Sequence, residues 1–113
     1  MRSFNHVALL GVAGKEAELR YFQNGDPIAI CSLATNEYYK DKQTGEKKQK
    51  TQWHNLVFRG PIAEHAARMI DKGAKMFVTG MVKYQARRKQ DGTYANYTNI
   101  VVDHWTLLDS TVT

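Results

Sequence analysis

Apolar positions along the chain fall in short runs separated by polar, glycine-containing breaks, and one stretch alone carries helical spacing. Residues 5–12 (NHVALLGV) predict a strand. Residues 19–22 predict a short extended continuation of it, ended by the turn signal Asn24-Gly25 ahead of Asp26 and Pro27. Residues 28–36 (IAICSLATN) predict a second strand and residues 51–59 (TQWHNLVFR) a third. In that third strand Trp53, Asn55, Val57 and Arg59 share one face, and His54, Leu56 and Phe58 share the other. A helix is predicted from Pro61 to Lys72. Pro61 suits the first helical position, Ile62, Ala66, Met69 and Ile70 recur at helical spacing, and Gly73 can end the helix. Residues 75–84 and 94–108 predict the fourth and fifth strands, with Gly80 marking a bulge or bend. Residues 109–113 are expected to form a short frayed end.

Three strands, a helix and two strands is the order of the OB-fold, a five-stranded, partly open all-β barrel with one helix that closes its end. The helix-linked strand repeats of a doubly wound nucleotide-binding sheet are absent. A length of 113 residues fits one such domain, expected over residues 1–108. A core of this size is small enough to make oligomerisation a natural expectation. Hydrophobic residues at 42% and charged residues at 24% match an ordinary globular domain and argue against disorder. The one cysteine, Cys31, can form neither an internal disulfide nor a multi-cysteine zinc site, which points to a reducing, cytoplasmic setting. No run approaches the roughly 18–20 apolar residues of a membrane span. The N-terminal apolar run turns charged at Lys15 and Glu16, against a secretory signal.

Charge changes the picture through its position. The formal net charge is +5. Residues 38–50 carry Lys40, Lys42, Lys47, Lys48 and Lys50 against Asp41 and Glu46, a net of +3. Residues 83–91 carry Lys83, Arg87, Arg88 and Lys89 against Asp91, again +3. The rest of the chain is at −1. Both stretches read as loops, one around Gly45 and one at the Asp91-Gly92 turn signal. A single basic loop can be mere solubilising surface; two in one small domain favour a polyanion.

Enzymatic readings find little support. No Walker or dinucleotide-type phosphate loop occurs, and neither HExxH nor GxSxG is present. His6, His65 and His104 lack metal-ligand spacing, and Cys31 reads as a small buried hydrophobe. No catalytic residue, cofactor or metal is expected.

Several segments in order resemble the bacterial single-stranded DNA-binding protein family: Asn5 with VALLG, RYFQNG at 20–25, SLATNEYYKDKQTGE at 32–46, TQWHNLVFRGPIAEHA at 51–66, KGAKMFVTG at 72–80, and Asp91-Gly92 with Tyr97-Thr98 beyond. The resemblance covers roughly residues 5–105. It implies an OB barrel, commonly assembled as a homotetramer, that binds and protects single-stranded DNA in replication, recombination and repair. Trp53 matches the family tryptophan that stacks on a base, and Tyr39 stands where an aromatic is common at the start of the basic loop. Arg59 occupies a place that is commonly Phe, and Arg87 or Arg88 falls near one that is often Trp. Arginine keeps a planar face for stacking and adds a phosphate partner.

The implied DNA-binding set is therefore Trp53, Tyr39 and Arg59, with Lys40, Lys42, Lys48, Lys50, Lys83, Arg87, Arg88 and Lys89 for phosphate and Tyr84 and Tyr97 as further stacking candidates. Tyr94 has the same two readings as these tyrosines, stacking or ordinary sheet. Trp105, among Val101, Val102, Leu107 and Leu108, reads as core or subunit interface. Family resemblance places His54 at a subunit contact, and His6 is nominated with it; a barrel histidine with one hydrogen bond is the alternative for His54. Typical members continue into a Gly/Pro/Gln-rich segment with an acidic tip, whereas these residues stop at DSTVT. Recruitment of partners through such a tip is not expected. A trimmed chain and a short phage, plasmid or accessory variant both remain open. Two rivals stand beside the leading reading: a dimeric accessory protein of replication restart or recombination, acting through protein contacts, and a module whose basic loops bind an acidic protein.

Overall fold

A computed structural model describes residues 1–108, so the frayed end expected at 109–113 lies outside the described residues. The elements are β1 (Val7–Ala13), β2 (Glu18–Tyr21), β3 (Pro27–Lys40), β4 (Lys47–Arg59), α1 (Pro61–Met69), β5 (Lys75–Arg88) and β6 (Tyr94–Leu107). They form one sheet in the order β1-β5-β6-β4-β3-β2, and β1 also pairs with β3, which closes the barrel. β1 and β2 lie in series along β3: Val12 and Ala13 face Ala34 and Leu33, and Glu18 to Tyr21 face Ile30 to Pro27. Together they act as one interrupted strand, as the extended continuation at 19–22 implied. The closed five-stranded barrel with one helix is the OB-fold. β4 and β6 meet in parallel at Leu56–Ile100 and Val57–Val101; the other pairings are antiparallel.

The alternation expected in β4 holds. Leu56 and Phe58 are completely buried, alongside Leu33, Ile70, Met76 and Val78. Trp105 packs its ring edge-on to Phe58 at 5.9 Å and against His65 at 5.5 Å. At the edge of the β1–β5 ladder the Asn5 amide donates to the Val82 carbonyl at 2.8 Å and accepts from the Val82 N–H at 2.9 Å, so a side chain extends the backbone pairing.

Three expectations need correction. The helix ends at Met69, not Lys72. Ile70 turns extended, with its side chain fully buried and its carbonyl accepting from Ala17 N–H, so continuing the helix would withdraw both. Gly73 therefore serves a separate turn, where its N–H donates to the Ala13 carbonyl at 2.9 Å. Met69 is exposed, and the barrel-facing residues are Ala63, Ala66 and Ile70, with Ile62 partly buried against the same core. Finally, the two basic stretches are mostly strand. β3 runs to Lys40 and β4 starts at Lys47; β5 runs to Arg88 and β6 starts at Tyr94. Only residues 41–46 and 89–93 turn. The lysines conceal the strands because both faces of each two-stranded arm are solvated and carry no apolar alternation.

The bulge anticipated at Gly80 is present as a register shift between Thr79 and Gly80 against β6. Any Cβ there would collide with the Val101 carbonyl of the neighbouring strand.

Candidate nucleic-acid interface

β4 presents Trp53, Asn55, Val57 and Arg59 on its outer face, opposite Ala34, Ser32, Ile30 and Ile28 of β3. Trp53 is 61% exposed, although the strand around it is well paired. Its six-membered ring occupies the space a side chain on residue 14 would need, with Ser32 also at its edge. Gly14 therefore leaves room for the far edge of the indole against the barrel surface. The ring's outer face is free for a stacking partner.

Beyond Asn55 the same face opens into a groove of about 320 Å³. Its apolar lining comes from Phe22, Ile28, Ile30, Val57 and Val101, and its polar lining from Asn55, Arg59, Lys83, Gln85, Arg87, Tyr97 and Asn99. A smaller cavity of about 170 Å³ adjoins it through Ile30 and Asn55. The Arg87 guanidinium lies 5.7 Å over the Tyr97 ring, and the Asn99 amide donates to Gln85 Oε1 at 3.3 Å. Register separates the two arginines that the resemblance left open. Gln85 faces Tyr97 and Lys83 faces Asn99, so Arg87 shares the groove face, whereas Arg88 sits opposite Tyr94 on the reverse of the arm with Tyr84. Sequence reasoning missed Phe22, Ile28, Ile30, Gln85 and Asn99. Phe22 carried a signal, being aromatic beside the Asn24-Gly25 turn.

Lys42 lies in the β3–β4 turn and Lys89 in the β5–β6 turn, at the outer ends of the two arms, and both are exposed. Lys40 falls on the arm face continuous with Trp53. Tyr39, Lys48 and Lys50 fall on the other face, in register with Lys48, Tyr39 and Glu37 respectively. Among the described residues Lys48 is the single nominated cation held in an ion pair, to Asp41 at 2.8 Å. That lysine first, then the Gln43 N–H, holds the Asp41 carboxyl below the usual carboxylate range. In the second turn the Thr93 hydroxyl and N–H donate to Asp91 at 2.6 and 3.0 Å and lower its pKa likewise. Each turn also contains a glycine at positive φ, Gly45 at 74° and Gly92 at 90°.

His54 is half-buried and shares a 2.9 Å hydrogen bond with the Thr35 hydroxyl, as a singly bonded barrel histidine would. His6 is exposed and lies against Phe4 at 5.8 Å. Cys31 is buried, and burial pushes its thiol up to about 11. No group of His, Cys, Asp or Glu among the described residues is placed to hold a metal, and no described helix is long and apolar enough to cross a membrane.

Cations without an ion pair among the described residues, beside planar faces, suit a flexible polyanion with exposed rings. Comparison with known proteins points the same way. The structure of Plasmodium falciparum SSB in complex with ssDNA superimposes with a TM-score of 0.86 at 29% identity, covering 96% of this chain and 98% of that one. A deletion mutant of the single-stranded DNA binding protein from Thermus aquaticus shares the fold, with a TM-score of 0.80 at 22% identity over 95% of this chain; the match spans about half of that protein's chain, 51%. The model of the single-strand binding protein family matches residues 4–108. The chain belongs to that family, whose members bind DNA and are not enzymes.

Proposed function

We propose that this chain binds single-stranded DNA with little regard to sequence, stacking bases on Trp53 and pairing phosphates with Arg59, Lys83 and Arg87 along the groove. One observation carries the reading: an exposed indole and a line of cations with no ion pair among the described residues share a single continuous face of the barrel. Unpaired DNA of any sequence offers a phosphate and an open base face at every nucleotide, and this surface addresses both. Lys40, Lys42 and Lys89 extend the positive surface outward along the two arms. Tyr97, held under Arg87, is a second stacking surface. The cellular role is coating and protecting single strands in replication, recombination and repair, in the cytoplasm.

Assembly into a homotetramer accompanies this role. It is supported by the outer face of the β1–β5 ladder, where Leu10 stands opposite Phe77 with Met81 nearby, all three exposed. A solution mass separates the tetramer from the dimeric accessory reading. The binding reading is tested by titrating tryptophan fluorescence with oligo-dT at several salt concentrations, with duplex of the same length as control. Quenching that weakens with salt, and tighter binding to the single strand, is the expected result. Absence of quenching, or equal affinity for duplex, refutes it.

A further inference from the structure

The outer face of β1, β5 and β6 carries one titratable cluster that the groove does not use, and the bulge creates it. Thr79 stands opposite His104 and Gly80 opposite Val102, so Asp103 is the extra residue and has no partner on β5. The Thr79 hydroxyl donates to Asp103 Oδ1 at 2.6 Å, and the His104 Nδ1 stands 3.3 Å from the same oxygen. An ionised carboxylate only accepts, so Nδ1 carries the ring proton and donates, and Nε2 is left to take up a second. Thr79 first, then His104 and His6, hold the Asp103 carboxyl below the usual carboxylate range. Asp103 and His104 are both exposed. The cluster borders the apolar patch already described: Thr79 lies on the outer row of β5 between Phe77 and Met81, and opposite Ala8, two places from Leu10 on β1. Other charges are remote. Lys75 and Lys83 stand four residues to either side of Thr79, roughly 13 Å along the strand and beyond a Debye length of about 8 Å. His65 packs on Trp105, on the reverse of β6.

We propose that a second copy of this chain covers this face and that protonation of His104 tightens the contact, so that assembly strengthens as the pH falls. A self-complementary interface brings the same patch from both copies together, each with its own Asp103. With His104 neutral, each Asp103 is a negative charge that must shed water on docking and that meets its like. A proton on Nε2 makes Asp103 and His104 a neutral ion pair before the face is covered, and both costs fall. His6, whose charge also reaches Asp103, is the one other group on this face that can supply the same compensation. The apolar residues supply the attraction at any pH, and the bulge cluster sets how strongly the charge opposes it.

This control rests on the assembly reading above, and the two can fail separately. The measurement is sedimentation equilibrium of the full chain at about pH 7.5 and about pH 5.5, either side of the ordinary histidine range, at constant ionic strength. The dissociation constant is expected to fall by about 5- to 150-fold at the lower pH, the usual range for coupling between two sites. His104→Gln can still donate to Asp103 but cannot take a charge; it should hold the weaker constant at both pH values. Asp103→Asn keeps an acceptor for Thr79 and removes the charge; it should assemble tightly at both, a gain that a merely structural aspartate would not give. Circular dichroism confirms that these exposed-site variants keep the fold. Equal constants at the two pH values, weaker assembly at the lower one, or a pH dependence that persists in His104→Gln overturns the control while leaving assembly intact. If the unaltered chain stays monomeric at both pH values, both readings fall together.

Discussion

The indole of Trp53 rests on Gly14, in the space that a Cβ at residue 14 would fill. A residue from the bend after β1 thereby sets the attitude of a ring on β4. Gly14→Ala would press on the far end of an exposed side chain, which can swing aside. Stability should fall by less than about 1 kcal/mol. The ring, however, would tilt off the barrel. The expected readout is a shifted tryptophan emission and weaker quenching by oligo-dT, with nearly unchanged urea denaturation.

Trp53→Ala removes the platform itself. Base–aromatic stacking is worth about 1–3 kcal/mol per base, so affinity for oligo-dT should drop accordingly. The fold should survive, because the ring is largely exposed and buries little apolar surface. Trp105, packed on Phe58, remains as an internal fluorescence reporter that DNA should not quench. Failure to fold would show that Trp53 is a structural residue.

Arg59 lines the groove without an ion pair among the described residues. Arg59→Phe trades a phosphate partner for a purely stacking surface. The plot of log affinity against log salt should flatten by about 0.7. Binding should weaken at low salt and hold its own at high salt. An unchanged slope would mean that Arg59 makes no phosphate contact.

Gly80→Ala acts on the barrel alone. The added methyl meets the Val101 carbonyl, and the Val102 Cα lies only 3.0 Å away. Both belong to the backbone of β6 and can move only by disturbing the β5–β6 ladder. A loss on the order of 2–3 kcal/mol is expected in urea denaturation.

Cys31 gives a pH dependence with a definite sign. Its thiol ionises near 9.0 when free, and burial pushes this up to about 11 in the fold. Between those values the unfolded chain binds fewer protons than the folded one, so the contribution is complete below pH 9 and is lost as pH rises to 11. Other groups titrate there too, so the measurement is the stability difference between the native chain and Cys31→Ala, which should shift against the native chain across that window. Alkylation of the folded chain at neutral pH should be slow.

Much of this protein can be read from its amino acids. The alternation in TQWHNLVFR assigns Trp53 and Arg59 to one face and Leu56 and Phe58 to the core, because a strand has a period of two and one buried face imposes it. The strand and helix order, Pro61 at the start of the helix, the break at Gly80 and the burial of Cys31 follow from equally local rules. The extent of the arms does not, since a ribbon solvated on both sides leaves no hydrophobic signature; cross-strand hydrogen bonding and the turns at Gly45 and Gly92 determine it. Local pattern also could not separate Arg87 from Arg88, place Phe22 beside Arg59, or set Gly14 under Trp53. The first depends on the register of the β5–β6 hairpin, and the other two join segments far apart in the chain that only the pairing of strands around the barrel brings together.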